Sequence, residues 1–150
     1  MIPTEKAGRF RILLVEDNPG DIRLIQEAFR EVGFPGQLAI TRDGEQAMAF
    51  LRHEGVYRNS LRPSLILLDL NMPRKDGREV LAEIKQSEKF RQIPVLVLST
   101  STRAEDISNA YDLHANCYIP KPLDLDKLVE LGVRLRSFWM CTVALPLENR

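Results

Sequence analysis

Five side chains suited to metal and phosphoryl chemistry, Glu16, Asp17, Asp69, Ser99 and Lys121, stand where apolar runs of this 150-residue chain end. Ile12-Leu13-Leu14-Val15 runs into Glu16-Asp17, and Leu65-Ile66-Leu67-Leu68 into Asp69. Val95-Leu96-Val97-Leu98 ends on Ser99, and Cys117-Tyr118-Ile119 on Pro120-Lys121-Pro122. If these runs are parallel strands, their carboxyl ends bring three carboxylates, a hydroxyl and an amine to one edge. Adjacent carboxylates repel unless a cation or water lies between them, and hard oxygen ligands suit Mg²⁺. A carboxylate such as Asp69 can take a phosphoryl group as an acyl phosphate. The Ser99 hydroxyl can hydrogen-bond a phosphoryl oxygen, and the Lys121 amine can pair with the carboxylates and then with that group. Asn71 can offer its backbone carbonyl to the metal, with Pro73 fixing the turn. A cis bond before Pro122 would aim the lysine inward, although cis is the minority state of such bonds. Taken singly, the alternative for Glu16-Asp17 is a solvated loop pair and for Asp69 a loop or cap aspartate. The five at four strand ends make the stronger pattern.

The elements that must hold these residues alternate. Asn18 is a good N-cap and Pro19 suits the first helical position. Ile22, Ile25, Ala28, Phe29 and Val32 then recur at helical spacing up to Gly33. Leu38-Ala39-Ile40 reads as a short strand. Asp43 caps a helix with Ala47, Phe50 and Leu51 inward, and a long polar loop covers Gly55 to Pro63. The run into Asp69 lacks alternation, which predicts a strand buried on both faces in a parallel sheet. Asn71 to Gly77 is loop chemistry, followed by a helix with Val80, Leu81, Ile84 and Phe90. Arg103 to Leu113 is helical, Asn116 to Ile119 forms the fifth strand, and Asp124 caps a last helix running to about Trp139. This β-α alternation predicts a doubly wound, flavodoxin-like α/β domain with strand order 2-1-3-4-5 and right-handed crossovers.

Apolar residues make up 44% and charged residues 28%, as in ordinary globular proteins. Lys and Arg number 21, as do Asp and Glu, so the basic excess of a dedicated nucleic-acid binder is absent. No apolar run approaches the roughly 20 residues of a membrane span. Met1 to Arg11 has no signal-peptide core, so a cytoplasmic protein is expected. Cys117 and Cys141 match no knuckle or redox pair and read as reduced thiols. His53 and His114 are isolated and read as surface or interface residues.

The chain resembles the receiver domain of two-component response regulators. The resemblance rests on Leu14-Val15-Glu16-Asp17-Asn18, Leu68-Asp69-Leu70-Asn71-Met72-Pro73 with Asp76-Gly77, Leu98-Ser99-Thr100, and Tyr118-Ile119-Pro120-Lys121-Pro122. It implies one receiver domain over residues 1–150, with a core of about 9–139, a tail of 140–150 and no output domain. It implies that Asp69 is the phosphoacceptor, charged by a histidine kinase. Glu16, Asp17, Asp69 and the Asn71 carbonyl then hold Mg²⁺, Lys121 contacts the phosphoryl group, Ser99 is the switch hydroxyl and Tyr118 the rotating aromatic. More narrowly, the chain is similar to the small response regulators that partner cyanobacterial phytochromes. The Gly55–Pro63 loop, Ser99-Thr100-Ser101, Asn116-Cys117-Tyr118, and Phe138-Trp139 with Leu145-Pro146 carry that likeness. Thr100 stands where many receivers have a smaller residue, so it bears on access to Asp69 and on phosphoryl lifetime.

The last helix shows apolar residues over roughly 200° (Leu125, Leu128, Val129, Leu131, Leu135, Phe138, Trp139), more than a core stripe needs. A symmetric dimer is expected on the face of the fourth helix, fifth strand and fifth helix, with Tyr111, Tyr118, Phe138 and Trp139 in contact. The alternative is cover by the tail, Met140–Leu147. The 11 residues after 139 are too few for a DNA-binding module, so output by docking is expected. The chain thus reads as a phosphoacceptor signalling protein that assists its own phosphorylation and dephosphorylation, not as an enzyme. A phosphohydrolase would usually need a second Asp where Asn71 stands. A flavin module would need a phosphate-cradling loop where Glu16-Asp17 repels phosphate. An adaptor that is never phosphorylated would not need the full residue set.

Overall fold

A computed structural model describes residues 9–146, so residues 1–8 and 147–150, including Leu147 of the expected tail cover, lie outside the described residues. Five strands form one parallel sheet in the order β2-β1-β3-β4-β5. They are β1 (Arg11–Val15), β2 (Gln37–Thr41), β3 (Leu65–Leu68), β4 (Val95–Ser99) and β5 (Cys117–Pro120). Five helices alternate with them: α1 (Pro19–Val32), α2 (Gly44–Arg52), α3 (Gly77–Gln86), α4 (Ala104–Asp112) and α5 (Leu125–Leu135). The fold class and strand order are those expected from the sequence.

Alternation along the central strands divides the core. Leu13, Val15, Ile66, Leu68, Val95 and Val97 face α2, α3 and α4. Ile12, Leu14, Leu65, Leu67, Leu96 and Leu98 face α1 and α5. Both faces of β3 and β4 are therefore dry, which is why their sequences show no polar alternation.

Local signals set the helix ends. The Asn18 side chain accepts from Asp21 N–H at 3.0 Å, Pro19 opens α1, and Gly33 closes it in the left-handed conformation at φ 68°. Asp43, Asp76 and Asp124 cap α2, α3 and α5 in the same way. α3 ends at Ser87, whose hydroxyl accepts from the N–H groups of Lys89 and Phe90. Phe90 is therefore buried from a turn and not from the helix the sequence suggested. The fifth strand starts one residue later than expected, because the Asn116 side chain accepts from Val95 N–H at 2.9 Å. The Gly55–Pro63 loop contains one 3₁₀ turn, Gly55–Tyr57.

The last helix departs most from its reading. After Leu135 the backbone widens into a π-helical segment, Arg136–Thr142. Leu125, Val129, Leu131 and Trp139 pack against the core, as does Leu145 of the tail. Most of the wide apolar arc is thus used internally, and Trp139 is half-buried where a free contact residue was expected. Phe138 and Val133 stay exposed. No helix among the described residues is long and apolar enough to cross a membrane.

Candidate functional site

The sheet's hydrogen-bond ladder runs one residue past β1, β3 and β5, and this places the polar residues. Glu16 N–H donates to Thr41 O and Asp69 N–H to Val15 O, both at 3.0 Å. Lys121 N–H donates to Ser99 O at 2.7 Å. Val15 pairs with Leu68 across β1 and β3, so Glu16 and Asp69 emerge side by side. Ser99 pairs with Pro120, which sets Lys121 next in line.

Behind Asp69, the turn is fixed from two directions. Gly77 N–H donates to Leu70 O at 3.0 Å. A Cβ on Gly77 would sit 2.2 Å from the Asp69 carbonyl oxygen and 2.6 Å from Leu70 Cα, so only glycine permits this approach. Asp76 accepts from Arg78 and Glu79 N–H at 2.8 and 3.1 Å and starts α3 there. Asn71 N–H lies 3.3 Å from Asp69 Oδ1.

Carboxylate oxygens of Glu16, Asp17 and Asp69 all lie within 4.8 Å of one another. Lys121 is buried with them and reaches inward although no peptide bond among the described residues is cis. Its Nζ donates to Glu16 Oε1 at 2.7 Å and to Asp21 Oδ2 at 3.0 Å, and lies 4.0 Å from Asp69 Oδ2. Leu14, Ile25 and Leu98 form an apolar floor beneath. That burial, with the neighbouring Asp69 carboxylate, pushes the Glu16 pKa up to about 9 against the pull of Lys121. Burial acts to lower the Lys121 pKa, but the bonds to Glu16 and Asp21 and the charges of Asp69 and Glu16 outweigh it and raise it. Asp21 is held below the usual carboxylate range: burial opposes this, and the bonds to Lys121 and Glu16 override it.

The donor set fits a hard divalent cation. Glu16 Oε2 is buried without a hydrogen-bond partner, so one acceptor of the triad is left for a ligand. Hard oxygens with an open position suit Mg²⁺ or Mn²⁺. Asp21 was missed in the sequence because an acid in a helix's first turn reads as a partner for the helix dipole. Its position in the first turn of the helix that directly follows Glu16-Asp17 was the only signal.

Ser99 is fully buried at the end of β4, and its Oγ accepts from Ser101 N–H at 3.2 Å. Tyr118 is half-buried against the core, with its hydroxyl donating to Ser101 O at 2.9 Å and its N–H to Tyr111 Oη at 3.2 Å. Tyr111 is 47% and Phe138 51% exposed. The structure thus gathers Glu16, Asp17, Asp69 and Lys121 into one cluster and sets Ser99 and Tyr118 on the adjoining strands.

Parallel order 2-1-3-4-5 with an acidic cluster and a lysine at the carboxyl edge defines a receiver. The response regulator receiver domain model matches residues 12–131, and the chain belongs to that family, which serves two-component signalling. It is 53% identical over 135 residues to response regulator Rcp1 of Synechocystis sp., covering 90% of this chain and 92% of that protein. The crystal structure of the Mn²⁺-bound form of Rcp1 superposes with a TM-score of 0.83 at 51% identity, over 92% of this chain and 99% of that one. The phosphorylated cyanobacterial phytochrome response regulator RcpA superposes with a TM-score of 0.85 at 54% identity, with the same coverage.

Proposed function

We propose that Asp69 accepts a phosphoryl group from the phosphohistidine of a sensor kinase, and that the kinase is of the phytochrome type. The P–N bond to histidine breaks and a P–O bond to Asp69 forms. Such transfers are catalysed mainly by positioning and charge. Mg²⁺ held by Glu16, Asp17, Asp69 and the Asn71 carbonyl would supply charge compensation for the phosphoryl oxygens. Lys121 offers its ammonium to the same oxygens, and the neighbouring carboxylates keep it protonated. The Ser99 hydroxyl then turns toward the new group and Tyr118 fills the space it leaves. The face of α4, β5 and α5 changes shape, and the signal leaves by docking, with a homodimer through that face. Phosphorylation biases an existing two-state equilibrium.

One observation carries this reading: the Lys121 ammonium is buried between Glu16 and Asp69, with the carboxylate triad beside it. The phytochrome partnership is supported by the likeness to Rcp1 and RcpA. The test is incubation with a small-molecule phosphoryl donor and Mg²⁺, followed by phosphate-affinity electrophoresis. Wild type is expected to shift and Asp69→Asn is not. An unshifted wild type defeats the reading. Transfer from a phosphorylated phytochrome kinase to Asp69 tests the partner.

A further inference from the structure

The two edges of the sheet are finished differently. On β5, Lys121 N–H donates inward to Ser99 O, and the alternation of the ladder then turns Tyr118 and Pro120 outward. Neither offers an open donor there. Tyr118 N–H donates to Tyr111 Oη at 3.2 Å, and proline has no N–H. On β2, Gln37 N–H donates to Phe10 O and Thr41 O accepts from Glu16 N–H, so Gln37, Ala39 and Thr41 face β1. Leu38 and Ile40 therefore turn their N–H and C=O groups outward, where no strand stands among the described residues. No charge and no proline interrupts Gln37-Leu38-Ala39-Ile40-Thr41, although these are usual protections of an edge. Clefts flank this strand on both faces of the sheet. On the α1 side, Leu38 joins Phe29 and Phe34 in an open cleft of about 320 Å³ that Arg30 also lines. On the α2 side, Ala39 joins Phe50 and Leu61 in one of about 250 Å³ that Arg11 also lines. No carboxylate lines either cleft, and exposed Arg42 follows the strand directly.

We propose that the β2 edge docks an extended segment of a partner protein, with apolar side chains at two consecutive positions and carboxylates on either side of them. Outward N–H and C=O groups on alternate residues are matched by another extended backbone, as in strand addition. Side chains of an added strand alternate between faces, so consecutive apolar residues meet the α1-side and the α2-side clefts. An uncharged strand with arginines about it selects the acidic flanks. A nucleic acid supplies the charge but neither the backbone donors and acceptors nor the apolar side chains. The surface is at the opposite edge from the α4-β5-α5 face and needs no phosphoryl group on Asp69.

The experiment uses the full chain and two blocked peptides, Glu-Asp-Val-Leu-Val-Asp-Glu and its counterpart with lysine at every acidic position. Amide exchange and chemical shifts are followed residue by residue by NMR during titration to about 1 mM, where a weak strand contact is populated. The acidic peptide is expected to slow exchange at Leu38 and Ile40, with Ala39 and Thr41 already slow without it. The lysine peptide is expected to bind at least about tenfold more weakly. Leu38→Pro removes an outward N–H and leaves the bonds to β1 in place, so it is expected to weaken the acidic peptide by about tenfold. Arg42→Glu, which leaves the strand intact, is expected to reduce or reverse the preference between the two peptides. No slowing at Leu38 and Ile40 overturns the proposal. So does equal binding to wild type and Leu38→Pro, or an unchanged preference in Arg42→Glu. A wild-type dimer that Leu38→Pro dissolves gives the edge to a second copy of this chain and overturns it as well.

Discussion

Lys121 hydrogen-bonds Glu16 at 2.7 Å yet stands 4.0 Å from Asp69, a gap too wide for a hydrogen bond. At rest the ammonium hydrogen-bonds Glu16 and Asp21, and it faces Asp69 across a space that a phosphoryl oxygen can bridge. Charge at this edge is therefore poised between two demands. The lysine favours anions on Asp69, and the carboxylate triad favours a cation.

Replacing Lys121 separates those demands. Leaving a buried hydrogen-bond partner unsatisfied costs about 1–3 kcal/mol, so Lys121→Met is expected to melt lower in metal-free buffer. Removing a positive charge beside the triad strengthens cation binding, so Mn²⁺ is expected to bind tighter, as read by the paramagnetic resonance of the free ion. Phosphorylation of Asp69 is expected to slow by about 100-fold, the usual cost of one preorganised charge donor. If Mn²⁺ binding weakens along with the rate, Lys121 serves as scaffolding and not as an electrostatic partner.

Glu16 gives the site a pH signature. Its folded pKa is raised to about 9 from an ordinary value of 4.5. Between those values the folded, cation-free chain binds a proton that the unfolded chain does not, so stability falls as pH rises through that window. A cation needs the carboxylate form, so its stabilising effect grows over the same range. Melting curves in EDTA and in Mg²⁺, taken from about pH 5.5 to about pH 8.5, are expected to diverge with rising pH. Glu16→Gln should flatten the EDTA series and weaken cation binding. Parallel curves for wild type would show that Glu16 stays ionised without a cation.

Much of this is legible in the chain itself. Undivided apolar runs announce strands covered on both sides, and a parallel sheet leaves only one edge for residues that follow them. The ladder continues one residue further, so Glu16, Asp69 and Lys121 arrive at that edge with little freedom. What stayed hidden depends on side chains that act at a distance in sequence. Asp21, on α1, meets Lys121 from 100 residues away in sequence. Ser101 looks like loop filler until its bonds to Asp106 and Tyr118 are seen. The passage from α to π geometry after Leu135 carries no composition signal, and the helical wheel drawn through it overstated the free apolar face.

Gly77 tests the backbone behind the acceptor. A methyl group there meets the Asp69 carbonyl oxygen and Leu70 Cα, both main-chain atoms that cannot step aside separately. Gly77→Ala is expected to destabilise the chain by about 1–3 kcal/mol, the range for forced overpacking. Because the displaced atoms belong to Asp69 and its neighbour, phosphorylation should fall more than tenfold even at temperatures where the variant remains folded. Urea titration and the electrophoretic shift assay measure the two effects. A destabilised variant with an unchanged phosphorylation rate would show that the Asp69 carboxylate tolerates movement of its own main chain.

The dimer expected on the α4-β5-α5 face can be placed by contrasting two adjacent aromatics. Phe138 and Trp139 meet edge to face with centroids 5.4 Å apart, but their surroundings differ. Trp139 packs on the core, whereas Phe138 is half exposed. A surface substitution away from packing or caps usually changes stability by less than about 0.5 kcal/mol, so Phe138→Arg is expected to keep its melting temperature while sedimenting as a monomer. Trp139→Ala should instead lower the melting temperature, because its half-buried ring packs on the core. Tyr111→Arg, on α4, should also favour the monomer, because a self-complementary patch repeats each charge across its axis. A dimer that survives both arginine substitutions would place the contact on another face and leave Phe138 for a different protein.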